Sequence, residues 1–374
     1  MHVTCDRMRL QEALSVLGGT VPTHSPSPIS EDVLLEAEGD RLRLRASDGT
    51  VFAEVVLLEV GEAGTGKAAV PFVRLASLVR ELEGEQVSLR REEGEYSLSV
   101  EAGEDKFGIV GHNPDEFPEV PAATGVEGVE VEGETLAEGL RYVAFAASKD
   151  ASRQQLQGVA FIFAGKKLYL VASDGRRLAE YTLSLSKEYP KRIEGIVPPR
   201  GVETLIRFLP FLGGEVLLRL DPQSKQLFVE HERGSVLCKL VEGQMPDYLS
   251  MVPTEFQTTV EGSARNILQA VRKASVLTTK DQSVVFLDVR GGALQIRVFS
   301  HDVGHGVVPV PGVEVRGDEV SLGFTVGFLA DGLRILGDEP VRVGLNARGG
   351  PSVMHGRRNF RYAFMPVVLR GEAV

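Results

Sequence analysis

In repeated runs along this chain apolar and polar residues alternate one by one, the period of a strand with one buried face. Arg41-Leu42-Arg43-Leu44-Arg45-Ala46 is one such run and Lys167-Leu168-Tyr169-Leu170-Val171-Ala172 another. Six stretches break the alternation with apolar residues that return every three or four positions, as on a helix packed by one face. Leu10, Leu14 and Leu17 predict a helix over 6–18, Leu75, Leu78, Val79 and Leu82 one over 71–82, and Leu136, Leu140, Val143 and Ala147 one over 134–149. Val202, Leu205, Ile206 and Leu209 predict a helix over 199–210, Ile267, Leu268, Val271 and Ala274 one over 263–280, and Val326, Leu329, Leu333 and Leu336 one over 326–336.

These elements recur at a fixed interval, the mark of repeated domains. Alternating strands turn at Ser47-Asp48-Gly49, at Ser173-Asp174-Gly175 and, more weakly, at Ser300-His301-Asp302; the three aspartates stand 126 and 128 residues apart. Val70-Pro71 and Val197-Pro198, 127 residues apart from proline to proline, each open a helix that gives way to glycine and a new strand. Proline suits the first turn of a helix and glycine the position past its end. Phe117-Pro118 and Met245-Pro246 close the first two copies with prolines 128 residues apart. The class is therefore α+β: three repeated domains, 1–122, 123–253 and 254–374, each with two helices packed on antiparallel sheets.

The net charge is −11, from 41 Lys and Arg against 52 Asp and Glu, which opposes a simple basic-patch nucleic-acid binder. The charge is segregated, however. The six helical stretches hold thirteen basic and seven acidic residues, a net of +6, and leave −17 for the rest. Stretch 263–280 carries Arg265, Arg272, Lys273 and Lys280 with no acid. Lysine and arginine are good helix formers on solvated faces, and that alone accounts for such a bias. The sharper reading is that the helices line one surface turned toward a polyanionic backbone. Few aromatic residues lie among the basic ones, so base stacking is not favoured. Cys5 and Cys238 sit in apolar alternating runs and are expected to be buried free thiols, in keeping with a reducing compartment. The start of the chain lacks a signal-peptide core, and no apolar run approaches the ~20 residues of a membrane span. A soluble, cytoplasmic protein is expected.

Two motifs invite chemistry. Gly61-Glu62-Ala63-Gly64-Thr65-Gly66-Lys67-Ala68 nearly matches a phosphate-binding loop, but Ala68 stands where a magnesium-holding hydroxyl is required, and no helix follows directly. The repeat places this segment in a connecting loop. His301, Asp302 and His305 fall in the third copy of the hairpin turn, where a solvated turn is preferred to a metal site. No nucleophile elbow, zinc-binding helix or carboxylate pair emerges, so no catalytic residue, metal or cofactor is expected.

Leu170-Val171-Ala172-Ser173-Asp174-Gly175-Arg176-Arg177-Leu178-Ala179, Ile196-Val197-Pro198-Pro199-Arg200-Gly201, Lys239-Leu240-Val241-Glu242-Gly243-Gln244-Met245-Pro246-Asp247-Tyr248 and Phe364-Met365-Pro366-Val367-Val368-Leu369 closely resemble the β subunit of bacterial DNA polymerase III, the replicative sliding clamps. The resemblance runs from Met1 to Leu369 and is most specific in the middle third. It implies a head-to-tail homodimeric ring whose helices line a hole threaded by duplex DNA, opened by a separate ATP-driven loader and without hydrolysis of its own. It implies DNA-facing roles for Arg74, Arg80, Arg200, Arg207, Arg272 and Lys273, with Lys149 and Arg153 at the end of the third helix. His24 stands where the family often has arginine, and Gln154 and Gln155 replace aromatic residues.

The resemblance also implies an apolar cleft for a short hydrophobic peptide from the polymerase, the loader or other proteins with a clamp-binding motif. Leu156, Ser173, Gly175, Arg176, Arg177 and Leu178 would supply one side, and Pro246, Met251, Phe364, Met365, Pro366 and Val367 the other. The dimer contact would join Lys106, Phe107, Gly108 and Ile109 to a region near Val276 and Leu277 by strand addition. Asp302 alone remains of an acidic cluster found there in some members, flanked by His301 and His305. Two other readings stay open beside the non-catalytic clamp: a nucleotide-dependent enzyme using the 61–68 loop, and a repeat scaffold that binds protein only.

Overall fold

The fold is that of a computed structural model, which describes residues 1–92, 94–121, 126–248, 250, 252–279, 282–346, 349–356 and 359–367, with Glu62 and Ala63 described by their backbone alone. Six helices form: α1 (Arg7–Leu17), α2 (Phe72–Glu81), α3 (Gly133–Ala144), α4 (Pro199–Leu212), α5 (Ala264–Ser275) and α6 (Val326–Leu336). The first third holds β1 (His2–Asp6), β2 (Asp32–Glu38), β3 (Arg41–Ser47), β4 (Val51–Leu58), β5 (Gly61–Gly64), β6 (Gly66–Pro71), β7 (Gln86–Arg90), β8 (Ser97–Ala102) and β9 (Asp105–Val110). The middle holds β10 (Val129–Glu132), β11 (Val159–Ser173), β12 (Arg177–Val197), β13 (Glu215–Asp221), β14 (Gln226–His231) and β15 (Gly234–Lys239). The last third holds β16 (Thr258–Ser263), β17 (Val284–Arg290), β18 (Ala293–Ser300), β19 (Gly304–Pro309), β20 (Glu314–Gly317), β21 (Val320–Thr325), β22 (Pro340–Leu345), β23 (Ser352–His355) and β24 (Phe360–Phe364).

Contacts group the chain into two compact units. The first comprises Met1–Glu138, Ala164–Lys166 and Leu185–Val241. It contains a five-stranded sheet, β5-β1-β7-β8-β9, and an eight-stranded sheet, β10-β13-β14-β15-β4-β3-β2-β6. The latter fuses strands of the first and middle thirds through the antiparallel pair β15–β4, where Val236 faces Ala53. Helix α1 packs on α2 and α4, and Leu10, Leu14, Leu17, Leu75 and Val79 are buried on the sheets. Asp6 caps α1 by accepting from the Arg9 N–H at 2.8 Å, and α4 runs from Pro199 at its start to Gly213 at φ +69° past its end. Cys5 and Cys238 are buried here, and burial pushes the Cys5 thiol up to about 12 and Cys238 higher still.

The second unit comprises Gly139–Phe163, Lys167–Ser184 and Glu242–Val374. Its four-stranded sheet runs β19-β18-β17-β21, and in its larger sheet Arg177–Tyr181 of β12 pair antiparallel with Phe360–Phe364 of β24. Helices α5 and α6 pack together, burying Ile267, Val271, Leu329 and Leu333. Gly332 lets α6 approach the sheet, since a Cβ there would lie 2.7 Å from the Tyr362 ring.

Three expectations need correction. The third helix ends at Ala144 instead of 149, because Ala146 and Ala147 turn back on Val143 and Ala144 and the Ser148 N–H then donates to the Leu156 carbonyl at 2.8 Å. Lys149 and Arg153 therefore lie in the loop beyond it. The fifth ends at Ser275 instead of 280: Val276, Leu277 and Thr278 bond three residues back, and the Ser275 and Thr278 hydroxyls donate to the Arg272 and Ser275 carbonyls. Lys280 lies outside the described residues. Segment 61–68 is no loop but β5 and the start of β6, with Lys67 paired to Glu36 at 3.4 Å.

Candidate functional site

The Ser-Asp-Gly turn between β11 and β12 builds one wall of a cleft inside the second unit. The Ser173 hydroxyl donates to the Arg177 carbonyl at 2.7 Å and accepts the Gly175 N–H at 3.1 Å, while Asp174 Oδ1 accepts the N–H groups of Arg176 and Arg177 at 2.9 and 3.0 Å. Gly175 sits at φ +86°, which glycine adopts without strain. Arg177 then faces Phe364 across the β12–β24 register, and the Met365 N–H donates to the Arg176 carbonyl at 2.9 Å. The start of one strand and the end of the other are thereby fixed side by side.

Between them lies a cavity of about 160 Å³. Of the cleft residues expected from the sequence, it gathers Leu156, Ser173, Gly175, Arg176, Arg177 and Leu178 with Pro246, Phe364 and Met365. Pro366 and Val367 do not line it: the Val367 N–H donates to the Gly323 carbonyl at 2.8 Å and carries the chain to the four-stranded sheet, where Val367 borders another cavity. Met251 lies outside the described residues. Met245, Tyr248, Val252, Pro351 and Ala363 also line the cleft and were missed. Met245 and Tyr248 stand in the Met-Pro-Asp-Tyr landmark that closes the second repeat, so their signal was present; Pro351 is brought in only by the pairing of Ser352 with Phe364.

The cleft floor is apolar, with Leu178, Tyr248, Val252 and Phe364 buried, while Met365 stands 42% exposed at its rim. The mostly covered charge at its wall, Arg177, is engaged on three sides. Arg177 binds Asp174 Oδ2 at 2.9 Å, Asp331 Oδ2 at 2.8 Å and the Phe145 carbonyl at 3.0 Å, and lies 4.9 Å over the Phe328 ring. Burial opposes its charge, and the hydrogen bond that the guanidinium donates to Asp331 keeps it charged. Such a groove binds apolar side chains through a few anchors.

The basic residues divide by environment. In the first unit Arg74 and Arg80 on α2 and Arg207 on α4 are exposed and make no ion pair among the described residues. Arg200 is instead drawn to Asp48 at 3.0 Å and to the Val21 carbonyl at 3.3 Å. In the second unit Arg272 and Lys273 on α5 and Lys149 are exposed and likewise without an ion pair among the described residues. Arg153 leans on the Asp174 carbonyl at 3.2 Å. His24, Gln154 and Gln155 are exposed. On the observed helix bounds, eleven basic residues face six acidic ones.

Strand β9 ends the five-stranded sheet, with Lys106, Phe107 and Val110 exposed and Ile109 buried. Strand β19 ends the four-stranded sheet of the other unit; Val276, Val303 and Val307 are exposed there, and Leu277 packs against Gly306. His301 rests edge-on against Phe299 at 4.8 Å in the turn, while His305 lies on β19. Among the described residues no three His, Cys, Asp or Glu side chains are grouped to hold a metal ion, and no helix is long and apolar enough to cross a membrane.

Profiles of the DNA polymerase III beta subunit match the chain in order: the N-terminal domain over 1–121, the central domain over 130–247 and the C-terminal domain over 249–368. This chain belongs to the DNA polymerase III β subunit family. The beta sliding clamp of Synechococcus elongatus is 28% identical over 378 residues, covering 99% of this chain and all of that one, and that of Pseudomonas aeruginosa is 28% identical over 375 residues with the same coverage. A crystal structure of the Pseudomonas aeruginosa sliding clamp bound to griselimycin superposes with a TM-score of 0.92 at 27% identity over 99% of this chain and all of that one. The fold is thus three clamp domains, and the function that of a DNA sliding clamp, a non-catalytic processivity factor. Membership implies encirclement of DNA and binding of the polymerase.

Proposed function

We propose that two copies of this chain, each with domains at 1–122, 123–253 and 254–374, close head to tail into a ring around duplex DNA in the cytoplasm. Strand β9 of one copy adds to β19 of the other, with Phe107 and Ile109 against Val276 and Leu277, and Lys106 at the rim. The observation that carries this reading is the pair of open sheet edges, each flanked by exposed apolar side chains. Left free, such edges invite uncontrolled pairing, and a second copy related by a twofold axis satisfies both at once.

Within the ring, Arg74, Arg80, Arg207, Arg272 and Lys273 face phosphate, with Lys149 beside them. Arg200 and Arg153, already engaged by Asp48 and Asp174, hold their loops and contribute less. Encirclement retains the protein topologically, so contacts can stay weak and unspecific and leave it free to slide. The cleft takes a short apolar peptide from the polymerase, the loader or another protein sharing that motif, and griselimycin is the ligand we expect to compete there. The test is retention on nicked circular DNA after loading, followed by one cut. A ring runs off the new ends, and retention on the linear product refutes encirclement.

A further inference from the structure

One carboxylate joins the cleft to helix α6. Asp331 receives Arg177 Nη1 on Oδ2 at 2.8 Å and Arg334 Nη1 on Oδ1 at 2.8 Å. The two guanidiniums differ in surroundings: Arg177 is 11% exposed and walls the cleft, whereas Arg334, one turn along the helix, is 59% exposed. We propose that Asp331 is a positioning residue of the cleft, and that a phosphate engaging Arg334 tightens the cleft on an apolar peptide. This rests on the reading that the cleft takes such a peptide and that the helices of the proposed ring line its hole, which would put α6 and Arg334 within reach of DNA phosphate.

A carboxylate shared by two cations binds each less firmly than it would bind one. When phosphate draws Arg334 away, both oxygens of Asp331 become available to Arg177, which has no solvent to retreat into. A firmly held Arg177 fixes the backbone of β12 beside Phe364, so less freedom is lost when a peptide docks. Reciprocity follows: a filled cleft that holds Arg177 in place favours phosphate on Arg334 by the same factor. Because Arg334 is exposed, the coupling is that of a surface pair, about two- to fivefold in affinity.

The probe is griselimycin, titrated by calorimetry into the full chain. Arg334→Ala, which withdraws the competing cation, is expected to tighten binding about two- to fivefold without DNA. In an Asp331→Asn background the same change should have no effect, and in Asp331→Glu the effect should return. Loading onto nicked circular DNA should tighten the wild type similarly and leave Asp331→Asn unmoved. An Arg334→Ala shift that is absent in the wild type, or equal in the Asp331→Asn background, overturns the coupling. Leu178→Ala separates this from failure of the cleft reading: if it binds griselimycin as well as the wild type, or if the wild type does not bind, the cleft itself is misassigned and the coupling falls with it. Arg334→Ala alters an exposed side chain, so the result does not depend on Asp331→Asn folding well.

Discussion

Asp48 and Asp174 organise the same turn in two repeats and differ in what they do with the second oxygen. Asp48 Oδ1 accepts the N–H groups of Thr50 and Val51 at 2.8 and 2.7 Å, and its Oδ2 holds Arg200. Asp174 accepts the corresponding N–H groups and gives its Oδ2 to Arg177 in the cleft. Alanine at either site leaves turn N–H groups without partners and should lower stability by about 1–3 kcal/mol, read as a fall in denaturant midpoint. Only Asp174→Ala should also weaken griselimycin binding, since only it loosens Arg177. Equal loss of ligand affinity in both variants would show that the turn acts through global stability alone. These turns were legible in the sequence because the side chain that caps them is the motif itself. The cleft was legible where its residues neighbour such motifs, and illegible at Pro351 and Ala363, which the β23–β24 and β12–β24 registers deliver.

Strand pairing also decides how elements respond to pH and to one another. His355 on β23 stands directly opposite Arg361 on β24 and Arg342 on β22, with Phe256 edge-on at 6.3 Å. Burial, then the two guanidiniums, hold its imidazole below the ordinary range, so the folded state favours the neutral ring. The unfolded chain takes up that proton first as pH falls, so the stabilisation is complete above about pH 6.5 and is lost below it. Melting between pH 7.5 and 5.5 should show this decline, and His355→Gln should flatten it; an unchanged slope would assign the decline to other groups. At the edge strands, Phe107→Asp places a charge on an exposed apolar position of β9 and should convert the proposed dimer to monomer in sedimentation without loss of helix signal. A dimer that survives Phe107→Asp at micromolar concentration would refute pairing through β9. Helix periodicity located all six helices, but it could not see where α3 and α5 end: an apolar face does not reveal that the Ser148 N–H finds the Leu156 carbonyl beyond α3, or that the Ser275 and Thr278 hydroxyls compete for the backbone beyond α5.

At the scale of the whole molecule, a net charge of −11 and a DNA-encircling function are compatible because the charge is sorted by element. Strands and loops carry the excess acid, which repels phosphate wherever they are exposed. The helices carry Arg74, Arg80, Arg207, Arg272 and Lys273 free of ion pairs among the described residues, so these cations remain available to phosphate. Each phosphate contact adds close to one unit to the slope of log affinity against log salt. A variant with alanine at Arg74, Arg207, Arg272 and Lys273 should therefore load poorly and show a flatter salt dependence of loading. Once closed on a nicked circle it should persist as long as the wild type between 50 and 200 mM salt, because in the proposed ring leaving requires opening the dimer contact and not breaking phosphate contacts. If the variant instead leaves closed circles faster, in proportion to salt, the helix cations hold the protein on DNA directly and topology does not.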